Sequence, residues 1–466
     1  MLRSRAQGQV QRIAARSLSP PCSSSAWREG ARAVPRPSHA PRIGCFSTTT
    51  RVSQGESSAT SSSSSTRPGR YIETPSFPPP SFPRAFGANQ VVPLDDELRG
   101  RLEKVMSHFN VPCRFAFAYG SGVFPQSEAG PEHAKKPSTK DGKKMIDLVL
   151  AVMHPEHWHA INMGDHPKHY SLISRMLGGI GVGLLQKRGA GLWYNPYVKM
   201  DDELVKYGVM DVDTLCQDLL DWDTLYISGR MHKPVAMLTT DARVRLAQQV
   251  NLTSALRTSL LLLPERFSEV ELYTQVASLS YTGDFRMSVP GGENSSKVRN
   301  IVLAQREMFR RLYAGLVRSL GTVHVEEMRE DRFAMTQDRS VKTRASYASR
   351  LPLRLREKLQ LHYTSFPDRH PAFAKLSLST RSDNVARKPG AKAAHLDPTA
   401  AEEFWEATVK QDDFEQVLLD KIGEIVRGPA WSQSLKGIYT AGLGRSLRYM
   451  MAKVGKYFEG KKADQK

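Results

Sequence analysis

Two short stretches hold residues whose types and spacing could handle a nucleoside triphosphate. In Arg114-Phe115-Ala116-Phe117-Ala118-Tyr119-Gly120-Ser121-Gly122-Val123-Phe124, an apolar, aromatic run predicts a short buried strand that ends in Gly120-Ser121-Gly122. Small residues leaving a strand let backbone N–H groups and a serine hydroxyl come close to phosphate. Alone, such a tripeptide is more often just a turn. In the second stretch, Met145-Ile146-Asp147-Leu148-Val149-Leu150-Ala151-Val152, the run is apolar on both faces and predicts a central strand with one carboxylate inside it. Burying Asp147 is costly unless a cation pairs with it or it holds a metal. The stretch by itself leaves both readings open.

Taken together, Gly-Ser, a spacer and a carboxylate in the next strand resemble the nucleotidyltransferase superfamily. In that chemistry an incoming oxygen attacks the α-phosphorus of an NTP and pyrophosphate leaves. The barrier is one of charge and positioning, which a carboxylate-held Mg²⁺ and loop amides lower. Mg²⁺ commonly needs only one or two protein carboxylates beside the substrate phosphates. The superfamily usually places a second acid two residues on, where this chain has Val149. Asp284 is the first candidate to replace it, with Asp221, Asp223 and Asp165 behind.

Further blocks resemble one family within that superfamily, the mitochondrial phosphatidate cytidylyltransferases of the translocator-assembly-and-maintenance type. They include Tyr119-Gly120-Ser121-Gly122-Val123-Phe124-Pro125-Gln126, Ile146-Asp147-Leu148, Trp158-His159-Ala160-Ile161-Asn162-Met163, Trp193-Tyr194-Asn195-Pro196, Leu225-Tyr226-Ile227-Ser228-Gly229-Arg230-Met231-His232-Lys233-Pro234 and Ser280-Tyr281-Thr282-Gly283-Asp284-Phe285-Arg286. They run in one order from about residue 85 to about 320, whereas 330–430 resembles the family poorly. Many relatives place an acid just past the Asp147 strand, where this chain has Met153-His154. The resemblance implies a reaction of CTP with phosphatidic acid to CDP-diacylglycerol and pyrophosphate, with Mg²⁺ as cofactor. It also implies the matrix face of the inner membrane, a product used for phosphatidylglycerol and cardiolipin, and no nucleic acid partner.

The site expected on these grounds has Asp147, Lys206, Arg230 and Lys233 as catalytic residues and Asp147 with Asp284 as metal ligands. Tyr119, Gly120, Ser121, Gly122 and Asn195 would hold the nucleotide. Arg230, His232 and Lys233 follow a strand expected at Thr224–Ser228, and cations clustered at a strand end suit a phosphate-rich substrate; a solvated basic turn is the plain alternative. Lys206 precedes the strand-like Tyr207-Gly208-Val209 and could hold a phosphate or simply face solvent. Tyr119 could stack on the nucleotide, though a core role fits its type better. Asn195 could reach ribose or base, or form the turn before Pro196. His154, His157, His159, His166 and His169 are dense enough to suggest zinc, but no spacing among them fits a standard site.

The elements that must position these residues make an α/β fold. A nucleotidyltransferase-fold domain is expected over 76–240, and a mainly helical, winged-helix-like domain over 241–330. In the latter, Asp241 and Ser268 are expected helix caps and a short strand is expected at 285–289. A variable region, 331–430, precedes an amphipathic C-terminus, 431–466. There Leu435, Tyr439, Leu443, Leu447, Met450, Val454 and Phe458 share one helical face flanked by lysines and arginines, the pattern of a helix lying on anionic inner-membrane lipids.

Composition sets the frame. The 466 residues carry a formal net charge of +19. Much of it lies in 1–51, where nine arginines from Arg3 to Arg51 face a single acid, Glu29. An Arg- and Ser-rich segment nearly free of acids reads as a mitochondrial transit peptide, and 52–75 as a Ser/Pro-rich linker that buries no core. No apolar run approaches a membrane span; the longest candidate, Leu260–Leu263, stops at Pro264-Glu265-Arg266. Cys22, Cys45, Cys113 and Cys216 form no CxxC pair, against a disulfide scaffold or structural zinc. Nucleotidyl transfer to RNA and a non-catalytic role in inner-membrane protein import are the competing readings. A scaffold would survive Asp147→Ala, and RNA transfer would need no lipid.

Overall fold

The computed structural model describes residues 86–126, 144–284, 296–328, 332–376 and 398–441. The expected leader and linker, the strand expected at 285–289 and the C-terminal stretch past Ala441 lie outside the described residues.

Helix α1 (Asp96–Ser107) starts where the Asp95 carboxylate accepts from the Leu98 N–H at 2.7 Å. Its Leu98, Leu102 and Val105 face inward. Strands β1 (Phe115–Tyr119) and β2 (Ile146–Val152) follow, both where the apolar runs predict them. Next come α2 (Pro155–Asp165) and α3 (Leu172–Gln186), the latter capped by Ser171. A hairpin of β3 (Leu192–Met200) and β4 (Glu203–Asp211) leads into α4 (Val212–Asp221) and, after an irregular segment, β5 (Ala236–Thr239). The five strands form one sheet in the order β3-β4-β2-β1-β5, with β2 parallel to β4 and the other pairs antiparallel.

Strand β2 is central, and its side chains alternate between two cores. Leu148 and Leu150 pack with Leu102 of α1 and Trp158 of α2, while Val149 and Ala151 pack with Leu215 and Leu219 of α4. Helix α5 (Ala242–Leu262) begins under this second layer with Val244 and Ala247 and then passes into a third, larger core. The Asp241 carboxylate caps α5 and also accepts from Arg114 at 2.9 Å, which ties the start of β1 to that helix.

The third core is built by β6 (Arg266–Ser268), α6 (Glu269–Ser278), α7 (Ser296–Ala304), α8 (Arg306–Leu320), β7 (Val323–Met328) and β8 (Arg332–Gln337). The helices α9 (Val341–Ser349), α10 (Leu353–Thr364), α11 (Pro398–Val409) and α12 (Phe414–Ala441) complete it. Its three strands pair in the order β6-β8-β7. The expected capping box is present: Ser268 Oγ accepts from the Glu271 N–H, and the Glu271 carboxylate accepts from the Ser268 N–H at 2.7 Å.

One expectation is corrected. Thr224–Ser228 is not a strand but part of an irregular loop before β5. The stretch 331–430 contributes Met335, Leu355, Leu359, Tyr363, Phe373, Phe404 and Leu418 to the third core. Helix α12 runs unbroken through the boundary placed at 430/431. Among the described residues no helix is long and apolar enough to cross a membrane.

Candidate active site

Strand register assembles the site. Tyr119 at the end of β1 lies opposite Asp147 of β2, and Asp147 lies opposite Lys206 of β4. Three chemically active side chains therefore form one row across three neighbouring strands. Lys206 Nζ donates to Asp147 Oδ1 at 3.2 Å, and the two side chains keep 29% and 21% of their exposure. The carboxylate is thus paired with a cation, yet it also faces the glycine loop. A Cβ on Gly120 would sit 3.2 Å from Asp147 Oδ2, so the bare Cα is what leaves room above that oxygen. Gly120 also has φ +82°, which favours glycine. At Gly122 a Cβ would come within 2.3 Å of the Met145 carbonyl oxygen, so no side chain fits. The Val123 and Phe124 N–H groups both close back onto the Gly120 carbonyl, at 3.1 and 2.9 Å, and fix the turn.

Aromatic and cationic groups surround the row. Tyr194 of β3 holds its ring 4.3 Å from Lys206 Nζ, and its hydroxyl hydrogen-bonds that of Tyr119 at 2.8 Å. The Arg230 guanidinium lies 3.9 Å from the Tyr226 ring centre and 5.9 Å from that of Tyr119, and it donates to the Tyr226 carbonyl. Burial pushes the Tyr119 phenol up, and the Asp147 charge adds to the shift. Burial likewise raises Tyr194, followed by the neighbouring Tyr119. Burial works against the Lys206 ammonium, but Asp147 and then Tyr194 outweigh it and hold its pKa above the ordinary lysine value. For Arg230, burial is outweighed by Tyr226, Tyr194 and Tyr119. At neutral pH two protonated phenols, hydrogen-bonded to each other, and two cations therefore surround one carboxylate.

The loop carrying Arg230 depends on Asp218 of α4. Asp218 Oδ1 accepts from the Thr224 N–H, the Thr224 hydroxyl and the Leu225 N–H at 2.8, 2.8 and 3.0 Å. Oδ2 accepts from the N–H groups of Ile227 and Ser228 at 3.3 and 3.0 Å. Trp222 and Leu225 adopt positive φ within this loop, a strain that the side-chain bonds offset. These bonds satisfy backbone donors that a strand would have paired across a sheet.

The other expected residues have the following surroundings. Lys233 donates to the Gly229 carbonyl at 3.0 Å and the Ser280 hydroxyl at 3.1 Å, beside the Tyr281 ring. Asn195 points to the opposite face of the sheet from Tyr194: it pairs across from Tyr207, and its Oδ1 accepts from Trp193 Nε1 at 3.2 Å. Asp284 is buried beside the close contact of Gly283 with Gly423. Asp223 pairs with Arg354 at 2.7 Å, and Asp165 accepts from Asn110 at 3.3 Å. Burial raises the Asp221 carboxyl, and Asp223 adds to it.

His159 bonds Tyr170 and Gln186 in the interior, and burial pushes its pKa down to about 4. His166 and His169 stack with ring centres 4.7 Å apart. Buried His232 donates from Nε2 to Asn251 Oδ1 at 3.0 Å, and burial pushes its pKa down to about 3. Among the described residues no group of three or more His, Cys, Asp or Glu could hold a metal ion. A site with so few protein carboxylates suits Mg²⁺, which completes its shell with substrate oxygens and water, better than zinc. Sequence reasoning missed Tyr194, Tyr226 and Asp218. Tyr194 was within reach, because the β3–β4 hairpin and the two-residue pleat put it on the face of Lys206.

The profile of the family described as "Phosphatidate cytidylyltransferase, mitochondrial" matches residues 102–456, including the 331–430 stretch. Proteins of that name resemble this chain. The one from Xenopus laevis is 37% identical over 76% of this chain and 94% of its own length. The one from Mus musculus is 35% identical over 77% of this chain and 95% of its own. The one from Saccharomyces cerevisiae is 40% identical over 50% of this chain, a match that spans 59% of the yeast protein.

Proposed function

The chain belongs to the mitochondrial phosphatidate cytidylyltransferase family, and from that premise we propose that the row Tyr119–Asp147–Lys206 carries the reaction. CTP and phosphatidic acid give CDP-diacylglycerol and pyrophosphate, for phospholipid synthesis. A phosphate oxygen of phosphatidic acid forms the new bond to the α-phosphorus of CTP. The bond from that phosphorus to the bridging oxygen breaks, and pyrophosphate leaves with the electron pair.

The single supporting observation is a carboxylate at the edge of a glycine cradle, with protonated groups around it. A phosphate monoester has its second pKa near ~6, so the nucleophile is already ionised at neutral pH. No general base is needed, and the pocket offers a phenol or a cation where one would stand. Lys206 and Arg230 stabilise charge on the phosphates, and one hydroxyl of the Tyr119–Tyr194 pair donates to them while the other donates within the pair. The amides of Gly120–Gly122 hold the triphosphate. Asp147 would hold Mg²⁺, which when bound neutralises the phosphates and aligns them. Asp284 is the candidate second ligand. Association with the matrix side of the inner membrane, peripheral and without nucleic acid, completes the proposal.

The test incubates the full-length protein with labelled CTP, phosphatidic acid vesicles and Mg²⁺. Lipid-linked label and pyrophosphate should appear in equal amounts and only with phosphatidic acid present. Label transfer to RNA, or no transfer to lipid, would reject the reading.

A further inference from the structure

Helix α3 is built inside out for a protein in water. The helix bends at Gly178, where φ is +65°; Leu172, Ile173, Met176 and Leu177 precede the bend, Ile180 and Leu184 follow it, and all six are exposed, Met176 at 81% and Ile180 at 71%. The inward side carries small residues. A Cβ on Gly179 would strike the backbone of Ala160 at 2.6 Å, and one on Gly183 would strike the Glu156 side chain at 2.3 Å. Helix α2 thus approaches the glycine side closely, and the bulky apolar groups have nowhere to go but outward. An exposed apolar patch of this kind marks a docking surface.

We propose that this face of α3 docks the protein on an anionic lipid bilayer. The charges around it match that occupant. Within α3 the only charged residue is Arg175, and Lys168 and Arg188 are exposed at its two ends. Apolar groups set among cations suit the boundary between acyl chains and anionic headgroups. The patch is also continuous with the end of α12. There Lys436 Nζ donates to the Gln186 carbonyl at 3.0 Å, and Trp431 and Leu435 are 51% and 55% exposed. The sequence that follows, 442–466, contains seven lysines and arginines against two acids, so it is basic as well. The inference rests on the lipid substrate proposed above only for the choice of surface, and binding is measured without turnover, so the two fail separately.

The test is flotation of the full-length protein with phosphatidylcholine–cardiolipin vesicles. Met176→Asp/Ile180→Asp should lower the bound fraction about tenfold or more, on the scale of two large apolar side chains kept out of the bilayer. Ile180→Gln should give a smaller loss in the same direction. Leu361→Asp, at an apolar residue 72% exposed on α10, should bind as the parent does. All three should keep their thermal midpoint and their activity on a short-chain, water-soluble phosphatidic acid. Undiminished flotation of the double variant overturns the proposal. So does equal loss in Leu361→Asp. In Ile180→Cys, a maleimide should react readily in free protein and slowly with vesicles. Slow labelling without vesicles that is relieved by deleting 442–466 would assign the face to the chain's own tail, and slow labelling with dimerisation would assign it to a second copy; either overturns the proposal.

Discussion

Asp147→Asn separates the two tasks of the carboxylate. The ion pair with Lys206 spans 3.2 Å. At an effective dielectric constant of about 20 its gross attraction is about 5 kcal/mol. Desolvation offsets much of that. Exposed pairs are worth about 0–1 kcal/mol, and breaking a fully buried one costs about 3–5 kcal/mol. With exposures of 21% and 29% this pair lies between, and the variant should lose about 1–3 kcal/mol of unfolding free energy in urea titrations. Activity should fall further, about 10²–10³-fold in kcat, the scale for removing one preorganised electrostatic group. The double variant Asp147→Asn/Lys206→Met removes the stranded ammonium as well. It should recover stability and remain inactive in the labelled-CTP assay. Near-parental turnover by Asp147→Asn, or recovery of activity along with stability in the double variant, would show that the carboxylate is only a structural counter-ion.

Further expectations concern the parts that hold this row in place. Asp218→Asn cannot accept on both sides of its side chain, so whichever way the amide turns, at least two loop donors meet an NH₂ group; stability should drop by about 2–4 kcal/mol, and KM for CTP should rise as Arg230 loses its seat. Gly122→Ala places a methyl against the Met145 carbonyl, so activity should vanish and the thermal midpoint fall, whereas Ser121→Ala should leave the midpoint unchanged. His159 has a folded pKa of about 4, below the unfolded value of about 6.5. The unfolded chain therefore binds the extra proton between those values, and stability should fall as pH drops from 6.5 towards 4. His159→Gln should flatten that dependence by up to about 3 kcal/mol, read from urea midpoints across the range; an unchanged slope would contradict the assignment.

The reach of the sequence varied with how local the cause was. β1, β2 and the caps Asp241, Ser268 and Glu271 were legible because pleat, apolar run and capping chemistry act within a few residues. Asp147 stood out because a carboxylate in an apolar strand needs a reason. Thr224–Ser228 misled because its β-branched and aromatic residues suit a strand, while its backbone donors go to Asp218 on a preceding helix. Asn195 misled because its bulged strand and Pro196 hid the pleat that turns it away from Tyr194. The outward apolar face of α3 was hidden by its glycines, whose inward placement only the packing against α2 reveals.

Helix α12 also guards a margin of the protein. Strand β3 lies at one rim of the five-stranded sheet, and Gln433 Nε2 and Lys436 Nζ both donate to the Leu192 carbonyl, at 3.0 and 3.3 Å. An uncapped rim invites another chain to add a strand. A truncation before Trp431 would strip that cover, and the shortened protein should aggregate.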